Sequence, residues 1–271
     1  MLALFFRKIV LFICQIANQF AIGRRALNQI IESSLGIKIK IVHQGLALTF
    51  SAPNELCRYR VTSFSVKEPQ TLRWIDAISS QSIVWDIGAN IGLYSIYAAK
   101  KCDALVYAFE PSIFNLEQLA RNIYLNNLQD NVVIVPIAIN DKGGPNYFNM
   151  SSTSWGGALS TFGHDFGQDG NALKTCFRYQ TCSIRLDDIT SHFGVPAPQY
   201  LKIDVDGIEH LILAGGRQVL QQVDQVLIEI NDDFVLQSQV SEAILRESGL
   251  TLASKADLGN GDQFNQLWIR E

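Results

Sequence analysis

The sequence predicts an α/β fold, a parallel sheet with helices on both faces. Three observations predict it. From Ile83 onward, short apolar runs alternate with helical stretches. The first of these strands enters a Gly-bearing turn, Asp86-Ile87-Gly88-Ala89-Asn90-Ile91-Gly92, and a helix starts at once. The second strand ends in an acid, Glu110, 24 residues beyond Asp86. Alternation of this kind implies parallel strands, because each strand needs a helical crossover to return in the same direction.

Composition sets the frame. The chain has 271 residues, 48% of them hydrophobic and 18% charged. That is enough apolar content for a sizeable core and excludes overall disorder. The 19 Gly and 7 Pro exclude collagen-like sequence. A net charge of −4 argues against a broad phosphate-binding face, so no nucleic-acid partner is expected. Cys14, Cys57, Cys102, Cys176 and Cys182 are scattered and form no C-x-x-C pair. They read as reduced thiols of a cytoplasmic protein rather than a disulfide framework or zinc site. No metal site is expected.

The elements follow in order. Residues 1–21 (MLALFFRKIVLFICQIANQFA) are apolar but interrupted by Arg7 and Lys8. The run Ile9–Cys14 falls far short of the ~20 residues of a membrane span, and no convincing signal-peptide cleavage site follows. Leu2, Phe5, Ile9, Phe12, Ile16 and Phe20 recur at helical spacing, with Arg7, Lys8, Arg24 and Arg25 beside them. Residues 1–25 fit a basic amphipathic helix on an anionic membrane surface, peripheral at its inner face. They also fit a helix packed on the chain's own core or on a partner. After a break at Gly36, residues 37–50 alternate as one or two strands with a turn near Gln44-Gly45. Residues 71–78 suggest a short helix. Residues 1–82 thus form an extension, and residues 83–271 one domain.

Within that domain, strands are expected at 83–87, 105–109, 132–139, 181–186, 200–205 and 226–230, with a closing pair at 250–254 and 264–269. Helices are expected at 92–100, 115–127, 187–193, 208–222 (broken near Gly215-Gly216) and 238–248. Residues 141–178 read as irregular.

Open parallel sheets bind ligands at the carboxyl ends of their strands. The turn after the first strand lacks the second Gly of a dinucleotide fingerprint, since Asn90 stands there, and it lacks a phosphate-cradling loop. Asp86 would repel a pyrophosphate. It suits a cationic ligand with hydroxyls and an amino group, which S-adenosylmethionine is. A carboxylate at Glu110 accepts two hydrogen bonds from a ribose diol. Pro111 and Ser112 make a helix start.

The run DIGANIGLYSIYAA, then VYAFEP, Asn115 and NIYLNN, RLDDI, LKIDVDGIEHLIL and Glu229 in IEI together resemble the FkbM family of S-adenosylmethionine-dependent methyltransferases. The resemblance covers roughly residues 83–230. It implies a Rossmann-like class I methyltransferase fold, a seven-stranded, mostly parallel sheet with one antiparallel strand near the C-terminus. It implies methyl transfer to oxygen, often on a sugar or other hydroxylated natural product. By resemblance, Asp86, Gly88, Ala89, Asn90 and Gly92 would surround the methionine portion of the donor. Glu110 would hold the ribose, with Ser112 and Asn115 beside it, and Ala138 would flank the adenine. Family members commonly carry Glu where Asp206 stands.

The chemistry is expected after the fourth strand. Lys202, Asp204 and Asp206 share one strand face. Burying these charges requires mutual pairing or a ligand. Asp204 is the first candidate for general base or acceptor-orienting group, His210 the second, and Lys202 would tune the carboxylate. Asp206 and Glu229 would line the acceptor side. Residues 149–169 are long for a connection and suit a lid or sugar surface, with Trp155 and Phe162 stacking on a pyranose ring. A competing reading takes Asp204-Val205-Asp206 as the D-x-D of a metal-dependent glycosyltransferase. Another is a non-catalytic S-adenosylmethionine-binding protein.

Overall fold

The structure is a computed structural model that describes residues 2–259 and 263–271. Met1 and the side chain of Leu2, both in the N-terminal reading, lie outside the described residues. Two helices open the chain, α1 (Leu2–Ala17) and α2 (Ala21–Leu35), the second ending at Gly36. The expected packing of this segment on the chain's own core does not occur. Phe5, Phe12 and Phe20 are 60%, 63% and 63% exposed. Phe6, Val10, Leu11 and Ile13 are exposed too, so the apolar surface of α1 is broader than a single stripe.

A hairpin follows, β1 (Lys38–His43) and β2 (Leu46–Ser51). Gln44 and Gly45, both at positive φ, form its two-residue turn. Three short helices come next: α3 (Glu55–Thr62), α4 (Phe64–Lys67) and α5 (Pro69–Asp76). Asn54 caps α3 by accepting the Cys57 N–H at 2.8 Å. Leu48, Phe50, Val61, Phe64, Leu72 and Ile75 are buried in one cluster with Val84, Ile96 and Val106. The boundary expected at residue 82 therefore divides no core; residues 46–78 are built into the domain.

The domain continues with β3 (Ile83–Ile87), α6 (Leu93–Cys102), β4 (Leu105–Phe109), α7 (Ile113–Asn126), β5 (Val132–Val135), β6 (Ala138–Ile139), β7 (Gly144–Met150), β8 (Ser160–Phe162), β9 (Phe177–Ile184) and α8 (Leu186–Phe193). It closes with β10 (Tyr200–Ile203), α9 (Glu209–Ala214), α10 (Arg217–Leu220), β11 (Gln225–Asn231), α11 (Val235–Glu247), β12 (Leu250–Asp257) and β13 (Gln263–Arg270). Among the described residues, the main sheet has seven strands in the order β12-β13-β11-β10-β3-β4-β5. Only β13 runs antiparallel to its neighbours there. This is the class I methyltransferase arrangement expected. Alternate side chains face two cores: Trp85, Ile87, Leu201 and Ile203 on one side, Val84, Val106 and Leu227 on the other.

Two expectations fail between β5 and β10. The strand expected over 132–139 is two strands, and β6 leaves the main sheet. The segment expected to be irregular contains β7 and β8, which join β6 and β9 in a second sheet of order β6-β9-β7-β8. Gly144, Pro145 and two Asn in β7 obscured its pattern, since these residues disfavour strands. This second sheet hangs the β7–β8 loop over the main sheet's carboxyl edge.

Candidate active site

The site forms where the order of the main sheet reverses. β3 and β10 are neighbours, but the chain leaves β3 toward β4 and reaches β10 only after the second sheet. Loops diverge at such a point and open a crevice. Gly88 and Gly92 have φ of +85° and +83°. A Cβ on Gly88 would lie 1.9 Å from the Asp204 carbonyl oxygen, and one on Gly92 would lie 2.4 Å from Leu119 Cδ1. Gly88 thus lets the β3 turn touch the β10 loop, and Gly92 lets α6 lie close to α7.

Glu110 sits beside this turn. Its Oε2 accepts the Asn90 N–H and its Oε1 the Ser112 N–H, each at 2.8 Å. Burial pushes its carboxyl up to about 7, although these backbone donors oppose the rise. Each oxygen keeps a lone pair for a diol. Ser112 caps α7, its Oγ accepting the Asn115 N–H at 3.4 Å.

Sheet register creates the charged centre. Lys202 and Asp86 are paired residues on parallel strands, so their side chains emerge side by side on one face. Lys202 Nζ lies 3.9 Å from Asp86 Oδ1 and donates to Asp204 Oδ2 at 2.8 Å. It also sits 5.4 Å above the Tyr94 ring. Burial works against the Lys202 ammonium, but Asp204, Asp86 and Glu68 outweigh it and hold it above the ordinary lysine value. Burial likewise opposes the Asp204 carboxylate, yet Lys202 holds it below the ordinary value, ionised. Asp86 is pushed up by burial, partly offset by Lys202 and by Ser95, whose Oγ donates to Asp86 Oδ2 at 2.5 Å. Asp86 Oδ1 is buried and has no hydrogen-bond donor among the described residues, Lys202 Nζ standing 3.9 Å away. A buried carboxylate oxygen without a donor is costly, and a cationic ligand would satisfy it.

A strap, residues 156–159 of the β7–β8 loop, crosses the site. Asn90 and Asn115 both donate from Nδ2 to the Gly157 carbonyl, at 2.8 and 3.1 Å. Asn115 Oδ1 accepts the Gly156 N–H at 3.0 Å. Asp206 Oδ2 accepts the Leu159 N–H at 2.6 Å. Asn115, expected beside the cofactor, has both ends of its amide engaged by the strap.

A cavity of about 320 Å³ opens on one side of the strap, bounded by Asp86, Gly88, Ala89, Asn90, Lys202, Asp204, Asp206 and Glu229. A pocket of about 60 Å³ on the other side holds Glu110, Ser112 and Asn115. Asn90, Asp204 and Asp206 border both. Ala138 borders a small apolar pocket with Phe109 and Ile137. Burial first, and then the Asp204 carboxylate, pushes Asp206 up to about 6. Burial and the surrounding acids push Glu229 well above the ordinary value; its Oε1 accepts from Gln263 Nε2 at 3.2 Å.

Three site candidates land elsewhere. β10 ends at Ile203 and Asp206 takes φ +63°, so strand alternation stops before His210. His210 enters α9 and packs edge-on against Phe234, its ring 5.6 Å away. Burial pushes it down to about 4, and it borders none of these cavities. Its neighbour Glu209 does more for the site: its carboxylate accepts the Val205 and Gly207 N–H groups at 3.1 and 3.0 Å and bonds Gln237, holding the turn that carries Asp206. Trp155 packs against the second core cluster and offers its carbonyl to Asn54 and Cys57. Phe162 is buried in the first. Neither ring lines the main cavity, because α3 and the second sheet claim them.

The wall opposite the sheet was missed. Arg60, Phe64, Lys67 and Glu68, from α3 through the start of α5, line the cavity with Tyr94 of α6. Glu68 is buried, accepting Lys67 Nζ and Thr71 Oγ1, each at 3.1 Å. A buried acid at the start of a short helix was the available signal.

A family model described as the methyltransferase FkbM domain matches residues 86–248. The chain belongs to the FkbM methyltransferase family. The methyl donor of this family is S-adenosylmethionine, and the orphaned Asp86 oxygen, the Gly88 turn and the Glu110 carboxylate fit it. Family membership displaces the glycosyltransferase reading. In keeping with that, Asp204 and Asp206 are committed to different partners, Lys202 and the Leu159 N–H. The chain is 26% identical over 158 residues to the hexuronic acid methyltransferase AglP of Haloferax volcanii, covering 58% of this chain and 59% of that protein's length. It is 28% identical over 212 residues to the 31-O-demethyl-FK506 methyltransferase FkbM of Streptomyces tacrolimicus, covering 69% of this chain and 80% of that one. Among solved structures it is similar to methyltransferase FkbM of Methylobacillus flagellatus KT, at 16% identity and a TM-score of 0.48, covering 71% of this chain and 44% of that one.

Proposed function

We propose that this protein is an S-adenosylmethionine-dependent O-methyltransferase acting on a hydroxyl of a sugar, glycan or related natural product. The observation that carries the reading is the placing of Asp86 and the Lys202–Asp204 pair in one cavity and Glu110 in the adjoining pocket, with Asn90 and Asp204 bordering both. Relatives named for a hexuronic acid and for a 31-O-demethyl compound support an oxygen-rich acceptor. When bound, the donor supplies an electrophilic methyl group on a sulfonium. Asp86 offers it a carboxylate oxygen, Gly88 and Asn90 a close backbone, and Glu110 two diol acceptors. Asp204, ionised and borne by Lys202, orients the acceptor hydroxyl and takes its proton. Asp206 and Glu229 line the acceptor side, with Glu229 held well above the ordinary carboxylate value by burial and the surrounding acids. Calorimetry on Asp86→Ala is expected to show loss of S-adenosylmethionine binding with the fold retained by circular dichroism. Unchanged affinity would sink the assignment of this turn.

We also propose that α1 rests on an anionic membrane surface. No described helix is long and apolar enough to cross a membrane. Yet α1 exposes Phe5, Phe6, Phe12 and Ile13, and residues 1–31 contain Arg7, Lys8, Arg24 and Arg25 with no acid. Exposed aromatics beside cations favour the interface of an anionic bilayer. The protein should sediment with phosphatidylglycerol vesicles, more weakly with phosphatidylcholine vesicles, and with neither after Phe5→Asp plus Phe12→Asp. Dimerisation through α1 with no vesicle binding would refute this.

A further inference from the structure

Among the described residues lining the cavity, Arg60 is the cation with no ion pair. Arg60 projects from α3, and with Cys57 and the N-cap residue Asn54 it grips the chain at residues 155–156, where the strap begins. Asn54 Nδ2 and Cys57 Sγ bond the Trp155 carbonyl, and Arg60 Nε donates to the Gly156 carbonyl at 2.7 Å. That single bond fixes the guanidinium plane. Its two terminal nitrogens make no hydrogen bond or ion pair among the described residues, while Arg60 lines the main cavity. The other cations there are matched: Lys202 with Asp204 and Asp86, Lys67 with Glu68 at 3.1 Å.

We infer that Arg60 is an anion-binding residue whose terminal nitrogens take the carboxylate of a bound ligand. A guanidinium held by Nε presents a planar pair of donors matched to the two oxygens of a carboxylate. Asp86, Asp204 and Asp206 line the same cavity, and their repulsion is stronger on a phosphate dianion than on a carboxylate monoanion. Arg60 lies outside the matched family segment, residues 86–248, so family membership assigns it nothing. The inference rests on the methyltransferase reading, and that reading offers two sources of a carboxylate: the methionine end of the donor, and an acid on the acceptor such as a uronate.

The test uses the full chain and the variants Arg60→Gln and Arg60→Lys. Calorimetry is run with S-adenosylhomocysteine and with methylthioadenosine, which keeps the nucleoside and lacks the amino-acid carboxylate. Methyl glucuronide and methyl glucoside are then titrated into protein saturated with S-adenosylhomocysteine. If the donor supplies the carboxylate, Arg60→Gln weakens S-adenosylhomocysteine roughly ten- to hundredfold and leaves methylthioadenosine unchanged, with partial recovery in Arg60→Lys. If the acceptor supplies it, S-adenosylhomocysteine is unaffected, the unaltered protein prefers glucuronide over glucoside, and Arg60→Gln loses that preference. Equal weakening of both nucleosides with a fall in Tm would mark Arg60 as a strap anchor only and overturn the inference. So would no change for either nucleoside together with no preference for glucuronide. Failure of the unaltered protein to bind S-adenosylhomocysteine would instead overturn the methyltransferase reading, and this inference with it.

Discussion

Asp204→Asn is expected to bind S-adenosylmethionine as the unaltered protein does and to lose roughly 10²–10⁴-fold in kcat, the usual contribution of a positioned acid or base. The substitution is nearly isosteric. Its amide oxygen can still accept the Lys202 bond now made at 2.8 Å, so the buried pair of strand ends stays in place. What is lost is the capacity to take a proton. Asp204 borders both the main cavity and the Glu110 pocket, so it stands between the two halves of the site. The pH profile separates it from its neighbour. Lys202 keeps Asp204 ionised well below neutrality, so turnover dependent on Asp204 alone should be flat through pH 6. A fall in kcat as pH drops through about 6 would point to Asp206, which must be ionised to act as a base. Full turnover by Asp204→Asn would remove it as the base.

The legible part of this protein is the part whose chemistry is local in sequence. Asp86, Gly88 and Gly92 lie within seven residues of one another, and a strand, a sharp turn and a helix explain each of them. Glu110 and Lys202–Asp204 follow the same rule at two other strand ends. The strand number and the one antiparallel strand follow from the family resemblance, whereas the strand order appears only in the structure. The strap was harder. Residues 141–178 looked irregular because Gly, Pro and Asn break the alternation of β7, and β8 is only three residues long. Its Ser, Gly and aromatic residues suggested a lid or sugar surface, whereas the structure half-buries Trp155 against the second core cluster and uses the backbone at 156–159. Asn90, Asn115 and Asp206, expected as site residues, border these pockets, but part of their capacity goes to holding that backbone. Such a role depends on a contact between distant segments that no spacing encodes.

The far wall was illegible for the same reason. Arg60, Lys67 and Glu68 precede the first parallel strand by 15 or more residues and carry no motif. They reach the cavity because Leu48, Phe50, Val61 and Phe64 share a core with Val84 and Ile96. The segment that looked like an appendage is therefore half of the site's enclosure, and only α1 and α2 remain outside the core. His210 is a candidate on its titration range alone, which carries no placement; the positive φ at Asp206 turns the chain, and α9 sends the imidazole toward Phe234.

The second large effect concerns stability. Lys202→Met is expected to cost about 3–5 kcal/mol, the usual penalty for removing one partner of a buried ion pair. Methionine fills the space of the lysine stem, so little of the loss comes from a cavity. The damage is electrostatic: Asp86, 4% exposed at its side chain, and Asp204, 28% exposed, would face each other with no cation between them. The pH dependence follows from the two carboxyls. In the unaltered protein Asp204 is held below its ordinary value, so its stabilising share is present above about pH 4 and lost as pH falls through its folded value. Without Lys202 that share disappears, and burial raises both carboxyls. A raised carboxyl favours the folded state in acid and penalises it as pH rises through its folded value. The gap between Lys202→Met and the unaltered protein should therefore be widest at pH 7–8, at roughly 10 °C in Tm, and narrow toward pH 5. Melting curves across that range decide the matter: a gap independent of pH would mean that Lys202 acts by packing, and that the Asp86–Lys202–Asp204 centre is not held together by charge.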